Sequence, residues 1–289
     1  MKRILGIIGS PRELGNCEIA VKEVSRLLEQ EHELRLLRLS DFAISLCTGC
    51  YRCLFDRQTC VLEDDLPLVI DAIAEADALI MAVPTYALGA NASLKLLLDR
   101  CLAFYARRAW IWRKPALAIG VSGIDGKEGS TLLDLDRFLS FLLADKRGVE
   151  LLVGALPGEI VRNERNQEAL RRAAKSLFTP EALRPEPGCN LCGGDTFRFL
   201  GGGRVRCMHC SNTGTVDYGS GQPRFRIEKD EHGIFLTQAD AERHFEWLKD
   251  MKNRYVQNRR LLREIKSTYL GDWHWIKPGA AGEGCDRRG

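Results

Sequence analysis

The strongest constraint on this chain is an alternation of two periodicities. Over roughly the first 180 residues, short runs at 3–8, 34–39, 78–83, 116–121 and 149–155 alternate with stretches whose apolar residues recur at helical spacing. Four of the five runs are nearly continuous in apolar residues, as expected of parallel strands covered by helices on both faces. The second is interrupted by Arg35 and Arg38, which predicts an edge position. Between the runs, Ala20, Val24, Leu27 and Leu28 share one helical face. So do Leu94, Leu97, Leu98, Cys101 and Tyr105, and later Leu170, Ala173, Ala174 and Leu177. Five such alternations imply an α/β fold with a doubly wound parallel five-stranded sheet.

With the second strand at an edge, the expected order is 2-1-3-4-5, that of flavodoxin-like folds, with a ligand crevice between the first and third strands. Composition limits the alternatives. Of 289 residues, 45% are hydrophobic and 28% charged, which excludes a mostly disordered or fibrous chain. A formal net charge of +3 gives no whole-chain signature of nucleic acid or an anionic membrane, so neither partner is expected. No stretch approaches the roughly 18 uninterrupted apolar residues of a membrane span. The apolar run after Met1-Lys2-Arg3 is too short for a secretion signal, and the expected location is cytoplasmic. In a reducing compartment, C-x2-C pairs read as metal ligands or redox thiols rather than disulfides. Eight of the 11 cysteines fall into two groups; Cys17, Cys101 and Cys285 stand alone.

Pro180, Pro185, Pro187 and Gly188 break the helical pattern. The expected domains are therefore an α/β domain over 1–186, a cysteine-bearing module over 187–222 and an extension over 223–289. Within the extension, Leu248, Tyr255, Leu262 and Tyr269 lie seven apart with Met251 and Ile265 between them. That stripe predicts one helix over 238–269, packed on its own domain or on a partner subunit. The Gly- and Arg-rich tail after Pro278 is expected to be disordered.

Three loops fall at the carboxyl ends of predicted strands. The first, Gly9-Ser10-Pro11-Arg12-Glu13-Leu14-Gly15-Asn16, leads into a helix whose unpaired N–H groups favour an anion. Ser10 and Asn16 can donate there and Arg12 adds a charged fork; a plain polar turn with a helix cap is the competing reading. The glycine spacing matches neither a dinucleotide fingerprint nor a Walker A loop. In the second, Pro84-Thr85-Tyr86-Ala87-Leu88-Gly89, Tyr86 offers a flat face to an aromatic ring. The third runs from Gly120 through Ser122 and Gly123 to Gly126. A phosphate cradle, an aromatic wall and backbone donors together suit flavin mononucleotide (FMN).

The loop at 9–16, Pro84-Thr85-Tyr86, Ser93-Leu94-Lys95, Asp99-Arg100 and the glycine-rich segment 120–129 resemble the NADPH-dependent FMN reductase family. The four cysteines after the second strand are similar to those of its iron–sulfur flavoprotein branch. The resemblance covers residues 1 to about 180. It implies that Ser10, Arg12 and Asn16 hold the phosphate, that Pro84, Thr85, Tyr86 and Gly89 line the isoalloxazine, and that Ser122 and Gly123 face its polar edge. Cys17 is counted with the phosphate set, standing where many members carry Ser or Thr.

The first cysteine group, Cys47, Cys50, Cys53 and Cys60, sits on a connection over 40–65, long enough to suggest function. Three thiolates at x2 spacing with a fourth farther on can ligate a four-iron cluster. Spacing alone does not separate iron from zinc or from free thiols, and the resemblance implies the [4Fe–4S] cluster. The second group, Cys189, Cys192, Cys207 and Cys210, is spaced as a zinc ribbon with a hairpin between 197–199 and 204–206, and a structural zinc is expected. His209, between two ligands, is expected at the surface.

The expected function is an FMN-dependent oxidoreductase of iron–sulfur flavoprotein type. It would pass electrons between a ferredoxin-like carrier or NAD(P)H and a small-molecule acceptor, as a homo-oligomer (dimer or tetramer). No protein acid or base is assigned, since the redox chemistry belongs to the cofactor. Two alternatives remain: an NAD(P)H-dependent flavin or quinone reductase without a cluster, and a redox-sensing regulator that binds nucleic acid or protein through the ribbon.

Overall fold

The structure, a computed structural model, describes residues 1–55, 59–179, 187–219, 221–231 and 236–271. Met1–Glu246 forms one compact unit and Trp247–Gly289 a second. In chain order the first sheet contains β1 (Lys2–Ile8), β2 (His32–Arg38), β3 (Ala78–Tyr86), β4 (Gly89–Ala90), β5 (Pro115–Ser122) and β6 (Asp145–Val153). The five long strands are parallel in the order β2-β1-β3-β5-β6, the expected topology, and the two-residue β4 turns back antiparallel onto β3. The basic second strand is at the edge, and only Leu37 of its seven residues is buried.

The helices between strands are α1 (Asn16–Leu27), the four-residue α2 (Arg52–Phe55), α3 (Leu66–Glu75), α4 (Ala92–Asp99), α5 (Arg108–Ile111), α6 (Thr131–Phe141) and α7 (Glu164–Leu177). Strand alternation divides the core into two layers. Ile4 and Ile8 of β1 join Val21 and Val24 of α1 and Leu170 and Leu177 of α7. Leu5 and Ile7 join Val69 and Ile73 of α3, Leu94 and Leu97 of α4 and Phe138 of α6.

A second, antiparallel sheet in the order β10-β9-β8-β7 is built from β7 (Phe197–Gly201), β8 (Arg204–Cys207), β9 (Thr213–Asp217) and β10 (Arg224–Ile227). The expected hairpin is present, and the sheet continues past residue 222. One face buries Val205, Cys207 and Ile227, with Phe197 stacked on Phe225 at 3.6 Å between ring centroids. The module is fastened to α6: Arg137 Nη2 donates to Met208 O at 2.8 Å, and His209 Nδ1 meets Asp136 Oδ2 at 2.6 Å.

The stripe expected as one helix over 238–269 is divided into α8 (Gln238–Gln257) and α9 (Arg259–Ser267). Asn258 stands at the break with ψ near 8°, its side chain donating to Arg254 O at 2.8 Å, the local competition by which Asn interrupts helices. Tyr255, Ile265 and Tyr269 are exposed. The tail after Pro278, with Cys285, lies outside the described residues, as do Pro180 and Pro185.

Gly6 fixes how closely α1 approaches the sheet: a Cβ there falls 2.4 Å from Val21 Cγ1 and 2.8 Å from Leu36 Cδ2. Gly6→Ala is expected to lower unfolding stability by about 1–3 kcal/mol through overpacking, read as a lower urea midpoint at unchanged slope.

Candidate functional site

The loops after β1, β3, β5 and β6 emerge at one edge of the sheet because those strands are parallel. Ser10 is buried, and its Oγ accepts the Arg12 N–H at 3.2 Å, which leaves the hydroxyl proton free to be donated. Arg12 is exposed. Asn16, expected to donate to a phosphate, is otherwise engaged. Its Nδ2 donates to Gly154 O and its Oδ1 accepts the Gly158 N–H, both at 2.9 Å, so it joins the first loop to the one after β6. Cys17 is 2% exposed and packs in the α1 core layer, where burial pushes its thiol up to about 12. Its sulfur does not face the loop. What α1 offers an anion is the unpaired backbone N–H groups of its first turn.

Two residues absent from the sequence-based set hold this loop. Arg38 donates to Ser10 O at 3.3 Å, Arg12 O at 2.7 Å and Glu18 Oε2 at 2.7 Å. Glu18 also accepts the Leu14 N–H at 2.8 Å and pairs with Lys22. Burial alone would raise Glu18, but the hydrogen bonds from Lys22, Arg38 and Leu14 outweigh it and hold the carboxyl near 2. The signal was visible as the arginine that interrupts the second strand, read there only as an edge mark.

Asn91, just before α4, ties the third-strand loop to the first. Its N–H donates to Pro84 O at 3.1 Å and its Nδ2 to Gly9 O at 2.6 Å, while Ser93 Oγ also reaches Gly9 O at 3.1 Å. A Cβ on Gly9 would lie 2.8 Å from Val83 Cγ1 and 3.0 Å from Asn91 Oδ1, so glycine is required at that junction. Thr85 Oγ1 is 2.8 Å from Thr131 Oγ1, directed at α6. Beyond it Tyr86 is 48% and Leu88 58% exposed. Gly89 lies against Ser130, and Ser130 N–H donates to Leu88 O at 2.8 Å. Ser122 is buried and donates to Ile124 O at 2.7 Å, whereas Gly123 is exposed. Leu14, Ile124 and Leu156 complete an exposed apolar rim on the same four loops. Asn91 Oδ1 is buried with no partner among the described residues. An anion site beside a flat apolar rim fits FMN.

The connection between β2 and α3 is held by an ion pair in the interior. Arg100 and Asp64, with side chains 1% and 2% exposed, face each other fork to fork. Arg100 also donates to Ser45 O at 3.2 Å, while Asp64 accepts the Ser45 N–H at 2.9 Å. Asp65 Oδ2 accepts the Ala43 N–H at 2.7 Å. From this base the cysteine loop projects outward. Cys47 and Cys50 are exposed, Cys53 and Cys60 half-buried. Hydrogen bonds from the Arg52 N–H and the Thr48 hydroxyl hold Cys50 below the usual thiol range. Burial, with the charges of Cys60, Cys50 and Cys47, pushes Cys53 up to about 11. The thiols thus lie within electrostatic reach of one another, and positive iron would relieve their repulsion. That donor set fits an iron–sulfur cluster, although these sulfurs are not drawn to within 4.8 Å of one another as a group.

Cys189, Cys192, Cys207 and Cys210 are drawn together, with all four sulfurs within 4.8 Å. Cys189 to Cys210 is 3.9 Å and Cys192 to Cys207 is 3.6 Å. Ligands about 2.3 Å from a tetrahedral zinc stand about 3.8 Å apart, so the quartet fits one such ion. His209 is not a surface residue. Its side chain is 8% exposed, Nε2 lies 3.2 Å from Asp195 Oδ1, and Gly194 packs on the ring. Burial opposes its charge, but Asp136 and Asp195 outweigh burial and raise it to about 9.

Residues 2–144 match the model of the NADPH-dependent FMN reductase family. An iron–sulfur flavoprotein of Archaeoglobus fulgidus is 30% identical over 174 residues, 60% of this chain and 76% of that protein. One from Methanocaldococcus jannaschii is 31% identical over 141 residues, 47% of this chain and 70% of the relative. The chain belongs to this family, in its iron–sulfur flavoprotein branch. A solved structure described as a flavone reductase superposes with a TM-score of 0.70 at 17% identity, over 95% of this chain and 100% of that one. The appended sheet is therefore part of a fold that also occurs elsewhere, beyond the stretch the family model covers. No described helix of this flavoprotein is long and apolar enough to cross a membrane.

The cradle carries a pH signature. Because Glu18 is held near 2 in the folded chain against 4.5 for a free glutamate, its contribution is complete above about pH 4.5 and lost as pH falls towards 2. Glu18→Gln is expected to cost up to about 3 kcal/mol at pH 7 and to flatten the stability profile in that acid window, followed by denaturant melts at successive pH values.

Proposed function

We propose that this flavoprotein binds FMN across the loops after β1, β3 and β5 and passes electrons between a carrier or NAD(P)H and a small acceptor. The supporting observation is the Asn91 junction, which ties the loop leading into the anion-favouring start of α1 to the loop that bears the exposed Tyr86 and Leu88. Ser10, Arg12 and the first N–H groups of α1 hold the phosphate, while Arg38 and Glu18 keep that loop in shape. Pro84, Thr85, Tyr86 and Gly89 line the ring, with Ser122 and Gly123 at its polar edge. Asn16 and Cys17 act by building the loop, the first through its hydrogen bonds and the second through packing. FMN, once bound, supplies both two-electron and one-electron redox chemistry. Cys47, Cys50, Cys53 and Cys60 ligate a [4Fe–4S] cluster, and Cys189, Cys192, Cys207 and Cys210 a structural zinc. The electron partner is a ferredoxin-like protein or NAD(P)H, the location cytoplasmic, and the working state a homo-oligomer that covers the apolar rim.

A second reading, a flavin or quinone reductase without a cluster, is favoured by the wider separation of the loop sulfurs. Anaerobic purification with flavin, iron, sulfide and zinc analysis separates the two. The first reading expects FMN, iron and labile sulfide in the wild type, with Cys53→Ser losing iron and sulfide but keeping zinc, and Cys207→Ser doing the reverse. FMN without sulfide leaves the second reading, and absence of FMN after reconstitution overturns both. Asn91→Ala is expected to weaken FMN binding by about ten- to a hundredfold, measured by fluorescence titration, because it loosens the first loop and leaves Gly9 O with Ser93 as its one side-chain donor.

A further inference from the structure

Strand register brings together charges that the sequence leaves scattered. Arg198 of β7 lies directly opposite Arg206 of β8, which lies opposite Thr213 of β9. Arg204 of β8 lies opposite Thr215, which on its other side faces Arg226 of β10, and Arg224 faces Asp217. Directly opposed residues of antiparallel strands share a face, as do residues two apart on one strand. All five arginines therefore occupy one face of the second sheet, and all five are exposed. The other face carries Phe197, Val205, Val216, Phe225 and Ile227, which form the core of this module.

The charges of this face are not balanced as many others on the surface are. In the α/β domain Arg35, Arg38, Arg107, Arg165 and Arg172 each pair with a carboxylate. No carboxylate of the described residues forms an ion pair with any of the five arginines here. Arginines directly opposed, as Arg198 and Arg206 are, repel and cost stability. Such a face favours an anionic partner, and its shape limits which. Two arginine rows, on β8 and β10, flank β9, whose outward residues are the short Thr213, Thr215 and Asp217. Two strand spacings set the rows about 10 Å apart, and residues two apart along a row are about 7 Å apart. A shallow trough of that width, walled by guanidinium forks and floored by the hydroxyls of Thr213 and Thr215, with Asp217 opposite Arg224 at one end, suits a narrow chain with a negative charge at each repeat. It is too narrow for a duplex and does not match the convex surface of an acidic protein.

We propose that the arginine face of the second sheet binds single-stranded nucleic acid through its phosphates, without sequence preference. The low net charge had argued against such a partner; the register shows the basic charge to be local. This site is separate from the flavin loops and stands or falls independently of them.

The test uses the full-length, metal-loaded chain and a fluorescein-labelled single strand of about 20 nucleotides, RNA or DNA, followed by anisotropy at increasing KCl. Binding is expected to weaken with salt at a log–log slope of about −3.5, the value for five neutralised phosphates on a single strand. Arg204→Glu with Arg226→Glu is expected to weaken it at least tenfold at unchanged flavin and metal content, and Arg198→Ala with Arg206→Ala by a smaller factor. The charge-matched control Arg171→Glu with Arg263→Glu leaves it unchanged. Three results overturn the proposal: no binding at low salt, equal loss in the control, or displacement of the strand by polyglutamate or duplex of equal length at lower concentration than by unlabelled single strand.

Discussion

Strands β1 and β3 lie side by side, yet β1 feeds α1 on one face of the sheet and β3 feeds α4 on the other. That divergence opens a crevice at the carboxyl edge, and the functional loops are arranged around it. Left alone, two loops leading to opposite faces would move independently. Asn91 prevents this, its backbone N–H donating to Pro84 O and its side-chain amide to Gly9 O, and Asn16 makes the corresponding link to the loop after β6. The anion site at α1 and the apolar wall after β3 are thereby held in one frame, as preorganised binding requires.

The pattern of strands was legible because burial on both faces leaves continuous apolar runs, and the edge strand because Arg35 and Arg38 are compatible only with partial exposure. The convergence of Cys189, Cys192, Cys207 and Cys210 was legible from spacing. What spacing does not encode is side-chain direction in an irregular loop. Asn16 and Cys17 lie where an anion would be bound, but one is turned to Gly154 and the other into the core. Arg38 was read as an edge mark although its guanidinium spans the loop carbonyls. His209 was placed at the surface because the two carboxylates that bury it lie 73 and 14 residues away. The break at Asn258 was hidden by a heptad stripe that passes through it unchanged. The sequence showed the ribbon hairpin to be basic at Arg198, Arg204 and Arg206, but not that these share a face with Arg224 and Arg226, because register across three strands is a tertiary property.

His209 joins the second metal group to the flavin domain. It lies between Cys207 and Cys210, and its ring reaches Asp136 of α6, which also pairs with Lys146. The contact with α6 therefore ties the turn that carries two of the four clustered cysteines to the α/β domain.

The two cysteine groups make opposite demands on the chain, and the structure meets each differently. The ribbon thiols are carried on turns beside a packed sheet, with sulfurs already at the spacing of one tetrahedral ion, so little chain ordering remains to oppose binding. The loop thiols stand on a segment fixed at its base by Arg100 and Asp64 and exposed towards Cys47 and Cys50. A cluster of several irons spreads its thiolates farther than a single ion does and must stay near the flavin edge to exchange electrons. A firm base with a more open tip suits that larger group. Geometry, more than the number of thiols, distinguishes the two cysteine groups of this chain.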